Sequence, residues 1–172
     1  MAVFTGYFDE SDTDAASVIA GIIISVEQLK FFDAEWRKLL SKYSVSCLHM
    51  KEFAHFKGEF KNGWRDNPDR RKEFIRLAIG IIARRCNTGV SITIDRKGYL
   101  NAAARFPNFG ALYGNEYTAA SVFAIMRACI WADKYGHPPV NFVFDIGNAN
   151  RTSFEKGFYN LYNNGDFRQG YD

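Results

Sequence analysis

The chain has 172 residues, of which 47% are hydrophobic and 24% are charged. These values are typical of one globular domain, and they exclude a disulfide-stabilised miniprotein, a fibrous protein and a disordered chain. Lys and Arg exceed Asp and Glu by 22 to 19, so the total charge of +3 does not by itself indicate a nucleic-acid binder. Three widely spaced cysteines predict reduced thiols and a cytoplasmic location, and the apolar runs are too short for a membrane span.

The first half of the chain predicts a β-hairpin followed by a helix. Residues 3–8 and 17–25 are rich in β-branched and aromatic residues, and the polar segment 9–14 between them predicts a longer connecting loop. Apolar residues then recur every three or four positions over 26–43, which predicts an amphipathic helix. Residues 44–66 show no regular pattern.

The second half predicts two helices that alternate with strands. Asn67-Pro68 is a helix-start signal, and the helix should place Phe74 inward and end near residues 87–89. Residues 90–95 alternate in polarity as a strand does, and residues 113–135 are apolar almost all round, as in a buried helix.

The end of the chain predicts one more strand and one more helix. Residues 140–145 have the composition of a central strand that is covered on both faces, and a last helix is predicted near 153–163. The element order predicts a single α/β domain over residues 1–172, in which a mixed sheet built from an N-terminal hairpin plus parallel strands is flanked by helices.

Three of the predicted strands end in an aspartate, namely Asp9, Asp95 and Asp145. If these strands are parallel, the three carboxylates converge at one edge of the sheet, where α/β proteins bind their ligands. Gathered carboxylates favour a hard cation, so Mg²⁺ or Mn²⁺ is the predicted cofactor, with two ions able to act on a phosphodiester. Glu10 is a further candidate ligand, although it faces the opposite side of the strand from Asp9. The alternative is that these aspartates are turn residues.

The segments Tyr7–Ser11, Leu48–Phe53 and Phe142–Asp145, together with Asp95, resemble the bacterial and phage family called domain of unknown function 3800. The resemblance covers nearly the whole chain. It implies a ribonuclease H-like fold with Asp9, Asp95 and Asp145 as metal ligands of a phosphodiester-cleaving enzyme. Family members typically continue into a helix with an Ala-Asp pair, so the chain is expected to lack a C-terminal helix, and a second copy or a partner chain could cover that side.

The middle of the chain adds a candidate acid or base and a basic segment. His49 is the candidate general acid or base, and the alternative is a structural or surface role. Residues 51–105 carry 13 basic and 6 acidic side chains, with aromatic residues between them, a pattern that suits contact with a nucleic-acid strand. The alternative is a solvated helix face, and the consecutive residues Arg70, Arg71 and Lys72 cannot share one face, so at least part of the run is solvated. The predicted nucleic-acid-binding residues are Lys51, Lys57, Lys61, Arg65, Arg96 and Lys97.

The sequence therefore predicts a metal-dependent nuclease that acts on RNA or DNA. The alternative is a non-catalytic module of the same fold that binds nucleic acid or protein. A third possibility is an interaction subunit that another chain completes. The sequence contains no phosphate-binding glycine loop, nucleophile elbow or dinucleotide fingerprint.

Overall fold

The computed structural model describes residues 3–145, 152, 154–157 and 159. Contacts within the chain group these residues into two compact units. The first, here called the sheet unit, contains the described residues up to Ile23 and from Asn87 onward. The second, here called the helical unit, is Ile24–Cys86. The prediction of a single domain stays a prediction, and each unit is described by itself.

The sheet unit contains a mixed sheet of four strands in the order β3-β2-β1-β4. Its strands are β1 (Phe4–Asp12), β2 (Ala16–Ser25), β3 (Thr88–Asp95) and β4 (Val140–Phe144). The first two form a hairpin with a short turn, in which the Thr13 amide donates to the Ala16 carbonyl. Because β3 is antiparallel to β2 and β4 is parallel to β1, strands β1, β3 and β4 all run in one direction. The α/β class and the mixed sheet are confirmed.

One face of this sheet packs against a helix. The helices of the unit are α4 (Arg96–Arg105), α5 (Pro107–Tyr113) and α6 (Glu116–Lys134). Helix α6 is buried without interruption from Tyr117 to Val122, which confirms the predicted burial for its first half. The prediction is wrong for the second half, where the burial is partial and Ile130 is 41% exposed. The described residues among 152–159 are helical, and the rest of the predicted last helix lies outside the described residues.

Close approach of the first two strands requires a glycine at position 21. The Phe8 ring lies over Gly21, and a Cβ atom at this position would collide with both that ring and the Tyr7 carbonyl oxygen. Phe8 itself is buried against α6 with Ala120 and Ala124. Phe8, the residue before Asp9, is therefore fixed in the core of the sheet unit.

Strand β4 differs from the prediction. It was expected to be a central strand covered on both faces, but it lies at one edge of the described sheet and its burial alternates. Phe142 and Phe144 point to the core, whereas Asn141 and Val143 are exposed. Val143 is apolar although it lies on the open face, so residues 142–144 form an apolar run like that of a strand covered on both faces.

The helical unit has an aromatic core between two long helices. It consists of α1 (Val26–Tyr43), α2 (Met50–His55), a 3-10 turn at Gly58–Phe60 and α3 (Pro68–Arg85). Both long helices were predicted, and Asn67 caps α3 by accepting the Arg70 amide with Pro68 in the first turn. The segment 44–66, expected to be irregular, contains the two short helical pieces because their buried rings, Phe53 and Phe60, join the core.

No helix among the described residues has both the length and the apolar composition needed to cross a membrane.

Candidate functional site

Asp9 and Asp145 are neighbours at the end of the parallel pair β1 and β4. Phe8 is in register with Phe144, and the Asp145 amide donates to the Phe8 carbonyl at 3.3 Å, so the two aspartates follow side by side. Adjacent strands are about 4.8 Å apart, which puts the two carboxylates within reach of one ion. Both residues are exposed. The structure therefore brings together two of the three predicted strand-end aspartates.

The face on which these aspartates lie is the one opposite α6. Side chains alternate along a strand, and Phe8 and Phe144 occupy the α6 side. A cavity of about 690 Å³ lies on this open face. Tyr7, Ile22 and Val143 are part of its apolar lining, and Asp9 and Asp145 also line it. A substrate group placed there would contact apolar surface and a pair of acidic oxygens at once.

Glu10 points to the other side, as the sequence predicts. It is half-buried, and burial raises the pKa of its carboxyl group above the usual value. A hydrogen bond with Tyr117 opposes this rise in pKa, whereas the negative charges of Asp12, Asp9 and Asp145 add to it. Four carboxylates therefore share one region of negative potential at the end of β1.

The raised pKa of Glu10 predicts a pH effect on stability. Between pH 4.5, the usual pKa, and the raised value, the folded chain binds more protons than the unfolded chain, so stability falls as pH rises through this interval. Glu10→Gln removes the titration. The free energy of unfolding of the variant, minus that of the wild type, should therefore increase with pH across this interval and be constant above it. Urea unfolding over a pH series in metal-free buffer measures this difference, and a difference that stays the same at every pH contradicts the prediction.

Arg96 is held by two carboxylates near the end of β1. Its Nε is 2.7 Å from Glu116 Oε1 and its Nη2 is 3.9 Å from Asp12 Oδ1. The Ser17 hydroxyl also donates to Asp12. Arg96 was predicted to bind nucleic acid, but its guanidinium is here compensated by acidic partners inside the sheet unit. Its contact with nucleic acid stays a prediction.

Glu116 is a residue of this acidic region that the sequence reasoning missed. It begins α6, where Asn115 caps the helix by accepting the Thr118 amide, and its side chain is 19% exposed. The signal was present, because Asn followed by Glu is typical of a helix start. The predicted helix begins at residue 113, so Asn115 and Glu116 were placed inside the helix instead of at its start.

The structure does not bring Asp95 to the aspartate pair, which corrects the predicted convergence. Strand β2 separates β3 from β1, and Asp95 is in register with Ala16, beside the hairpin turn. Because Ala16 pairs with Thr13, Asp95 lies four residues beyond Asp9 along the sheet, or about 13 Å, and two strands away. Asp95 instead caps α4, where its Oδ1 accepts the Gly98 amide at 2.5 Å.

This capping role gives Asp95 a predicted effect on stability. Asp95→Ala leaves the first turn of α4 without a side-chain acceptor and should lower the free energy of unfolding by about 1 kcal/mol. Asp95→Asn should cost much less, because asparagine is an equally good cap. Urea denaturation of the two variants measures the difference. Equal losses in both would show that the charge of Asp95, and not its capping bond, is what matters.

The predicted residues of the middle segment lie in the helical unit, apart from Arg96 and Lys97. His49 precedes α2 and is exposed, with its Nδ1 3.7 Å from Glu52 Oε1. Lys51, Lys57 and Lys61 are exposed, as is Lys97 at the start of α4 in the sheet unit. The roles predicted for these side chains stay predictions.

Comparison with known proteins returned no match to a family model, a curated protein or a solved structure. Within the part of the chain that the structure describes, no group of three or more His, Cys, Asp or Glu side chains is placed to hold a metal ion. The candidate site is therefore built on the pair of Asp9 and Asp145.

Proposed function

We propose that the protein is a divalent-metal-dependent phosphodiester hydrolase, a nuclease of ribonuclease H-like architecture. The observation that carries the proposal is the side-by-side position of Asp9 and Asp145 where the pairing of the parallel strands β1 and β4 ends. The hairpin joined to parallel strands supports the architecture. Asp95 is not part of the proposed ligand set.

The residues present fit a hard cation. Asp9 and Asp145 supply carboxylate oxygens, the donors that Mg²⁺ and Mn²⁺ prefer, and their exposure leaves room for waters and a phosphate. Burial is the main cause of the raised pKa of Glu10, but the negative charges of Asp12, Asp9 and Asp145 add to it, and a bound cation would relieve this negative potential. When bound, the metal would make a coordinated water a better nucleophile and stabilise the leaving oxygen.

The residues of the chain contribute binding and orientation. Asp9 and Asp145 hold the cation, and the Glu10 amide donates to Asp9 Oδ1 at 2.8 Å, which fixes the orientation of that carboxylate. Glu10 is in turn held by Tyr117 and adds negative charge from the opposite face of the strand. The cavity beside the pair provides space for the sugar and base next to the scissile phosphate.

The test is a cleavage assay with labelled RNA, DNA and RNA–DNA hybrid in Mg²⁺ or Mn²⁺. We expect cleavage of at least one substrate, with loss of cleavage in EDTA and uptake of Mn²⁺ measured by calorimetry. Cleavage that persists in EDTA would overturn the proposal. Salt-sensitive binding without metal uptake or cleavage would instead favour the non-catalytic nucleic-acid-binding module.

A further inference from the structure

The helical unit has a second cavity, remote in sequence from the aspartate pair. Its volume is about 380 Å³, within the range of ligand-binding cavities. Apolar side chains including Phe53, Trp64 and Ile75 line one part of it. Three cationic side chains line the rest, namely Arg65, Arg71 and Lys72.

Aromatic rings hold the guanidinium groups in this region. The Cζ atom of Arg71 lies 4.8 Å from the ring centroid of Phe53 and 4.7 Å from that of Phe56. Arg65 lies 5.8 Å from the Phe56 centroid. Such contacts stabilise a cation by about 0.5–1 kcal/mol at exposed sites, and they fix the plane of the guanidinium before any ligand arrives.

These cations lack acidic partners within the described residues. Ion pairs in the helical unit engage other basic side chains: Arg37 pairs with Asp33, Lys42 with Glu73, and Arg84 and Arg85 with Glu35. None of the ion pairs found there engages the three cations that line the cavity. A concave surface with three uncompensated positive charges attracts an anion.

Phe56 is the ring that contacts both arginines. It is the C-cap of α2 and has φ of 54°, the left-handed conformation in which helices commonly end, and its amide donates to the Glu52 carbonyl. The end of α2 therefore fixes the backbone that carries this ring.

We propose that this cavity binds single-stranded nucleic acid, with backbone phosphates at Arg65, Arg71 and Lys72 and an unpaired base stacked on a guanidinium plane. Arginine is the side chain suited to both contacts. A single strand is favoured over a duplex because a base can enter a cavity of this size only when it is splayed out. The inference goes beyond the proposed function, because it concerns binding by the helical unit alone and does not depend on cleavage.

The experiment measures binding in EDTA, so that the outcome does not depend on cleavage. Fluorescence anisotropy of a short labelled single strand, RNA or DNA, gives the Kd of the full chain over a series of salt concentrations. Arg71→Gln should weaken binding about tenfold, because a charge-assisted hydrogen bond is lost, and should make the salt slope shallower by about 0.7. Arg76→Gln is the matched control, since Arg76 is exposed on the same helix and does not line the cavity. It should change the Kd less than twofold, by about the size of a surface charge effect.

A second variant separates a positioning role from a loss of charge. Phe56→Leu keeps an apolar side chain but removes the aromatic face beneath Arg71 and Arg65, so binding should weaken several-fold with the salt slope unchanged. Equal weakening by Arg71→Gln and Arg76→Gln would overturn the proposal, as would equal affinity for a duplex. Competition by inorganic phosphate as strong as that by the oligonucleotide would also overturn it, because it would show a site for free phosphate.

Discussion

Asp9→Asn or Asp145→Asn is expected to lower the rate of metal-dependent cleavage about 1,000-fold, because a metal ion stabilises the transition state of such reactions by several kcal/mol. Asparagine keeps the shape of the side chain but removes the negative charge on which cation binding depends. Both residues are exposed, so neither change leaves a cavity or an unsatisfied buried group. The loss should therefore appear in the rate and in Mn²⁺ uptake, whereas the metal-free thermal midpoint should be nearly unchanged.

Asp14→Asn is the matched control for these variants. Asp14 is exposed in the hairpin turn and carries the same charge two residues beyond the end of β1. Its replacement should preserve cleavage, and Mn²⁺ should raise the melting temperature as much as in the wild type. If Asp9→Asn retained the activity of Asp14→Asn, the aspartate pair would not be the metal site.

The elements that the sequence predicted correctly are those whose periodic pattern agrees with their packing. Helix α3 is the clearest case, because its cap at Asn67 and its apolar face, including Phe74, are local features of the chain. The sequence placed a loop at residues 9–14, whereas β1 continues to Asp12 because pairing with β2 outweighs the low strand propensity of acidic residues.

Helices α4 and α5 were not predicted because their stability comes from tertiary contacts. Helix α4 is anchored by one buried residue, Tyr99, whose ring lies 5.5 Å from that of Phe109 in α5. Neither helix presents a long apolar stripe. A short amphipathic segment is a weak signal in sequence, because most helix stability in proteins comes from packing.

The candidate site could be predicted only in part, because some of its residues follow local patterns in the sequence and others are placed by tertiary structure. Asp9 and Asp145 each follow an apolar run that is visible in sequence, and parallel pairing of these runs puts the two aspartates together, although β1 itself continues to Asp12. The position of Asp95 depends on the order of strands in the sheet, which no local pattern specifies. The contact of Glu116 with Arg96 could not be predicted, because it depends on where α6 begins relative to β1.

Phe74→Ala is expected to lower the free energy of unfolding by about 3–5 kcal/mol, the cost of removing a large ring from a packed core. Phe74 is fully buried at the centre of the helical unit, 0% exposed. Its ring centroid lies 5.0 Å from that of Tyr43, 5.2 Å from Trp64 and 5.7 Å from Phe53. Ile79→Ala on the same helix is the control, because Ile79 is 59% exposed and its truncation should cost less than about 0.5 kcal/mol. Urea unfolding followed by tryptophan fluorescence measures both.

The same variant links the core to the cationic cavity. Phe53, which Phe74 supports, is one of the two rings that contact Arg71, at 4.8 Å, and Trp64, which Phe74 also supports, lines the same cavity. At a temperature where Phe74→Ala is still folded, its affinity for a single strand should therefore fall further than that of Ile79→Ala. Full retention of affinity in the folded variant would mean that the guanidinium groups bind without a rigid aromatic support, and the role assigned to these rings would be wrong.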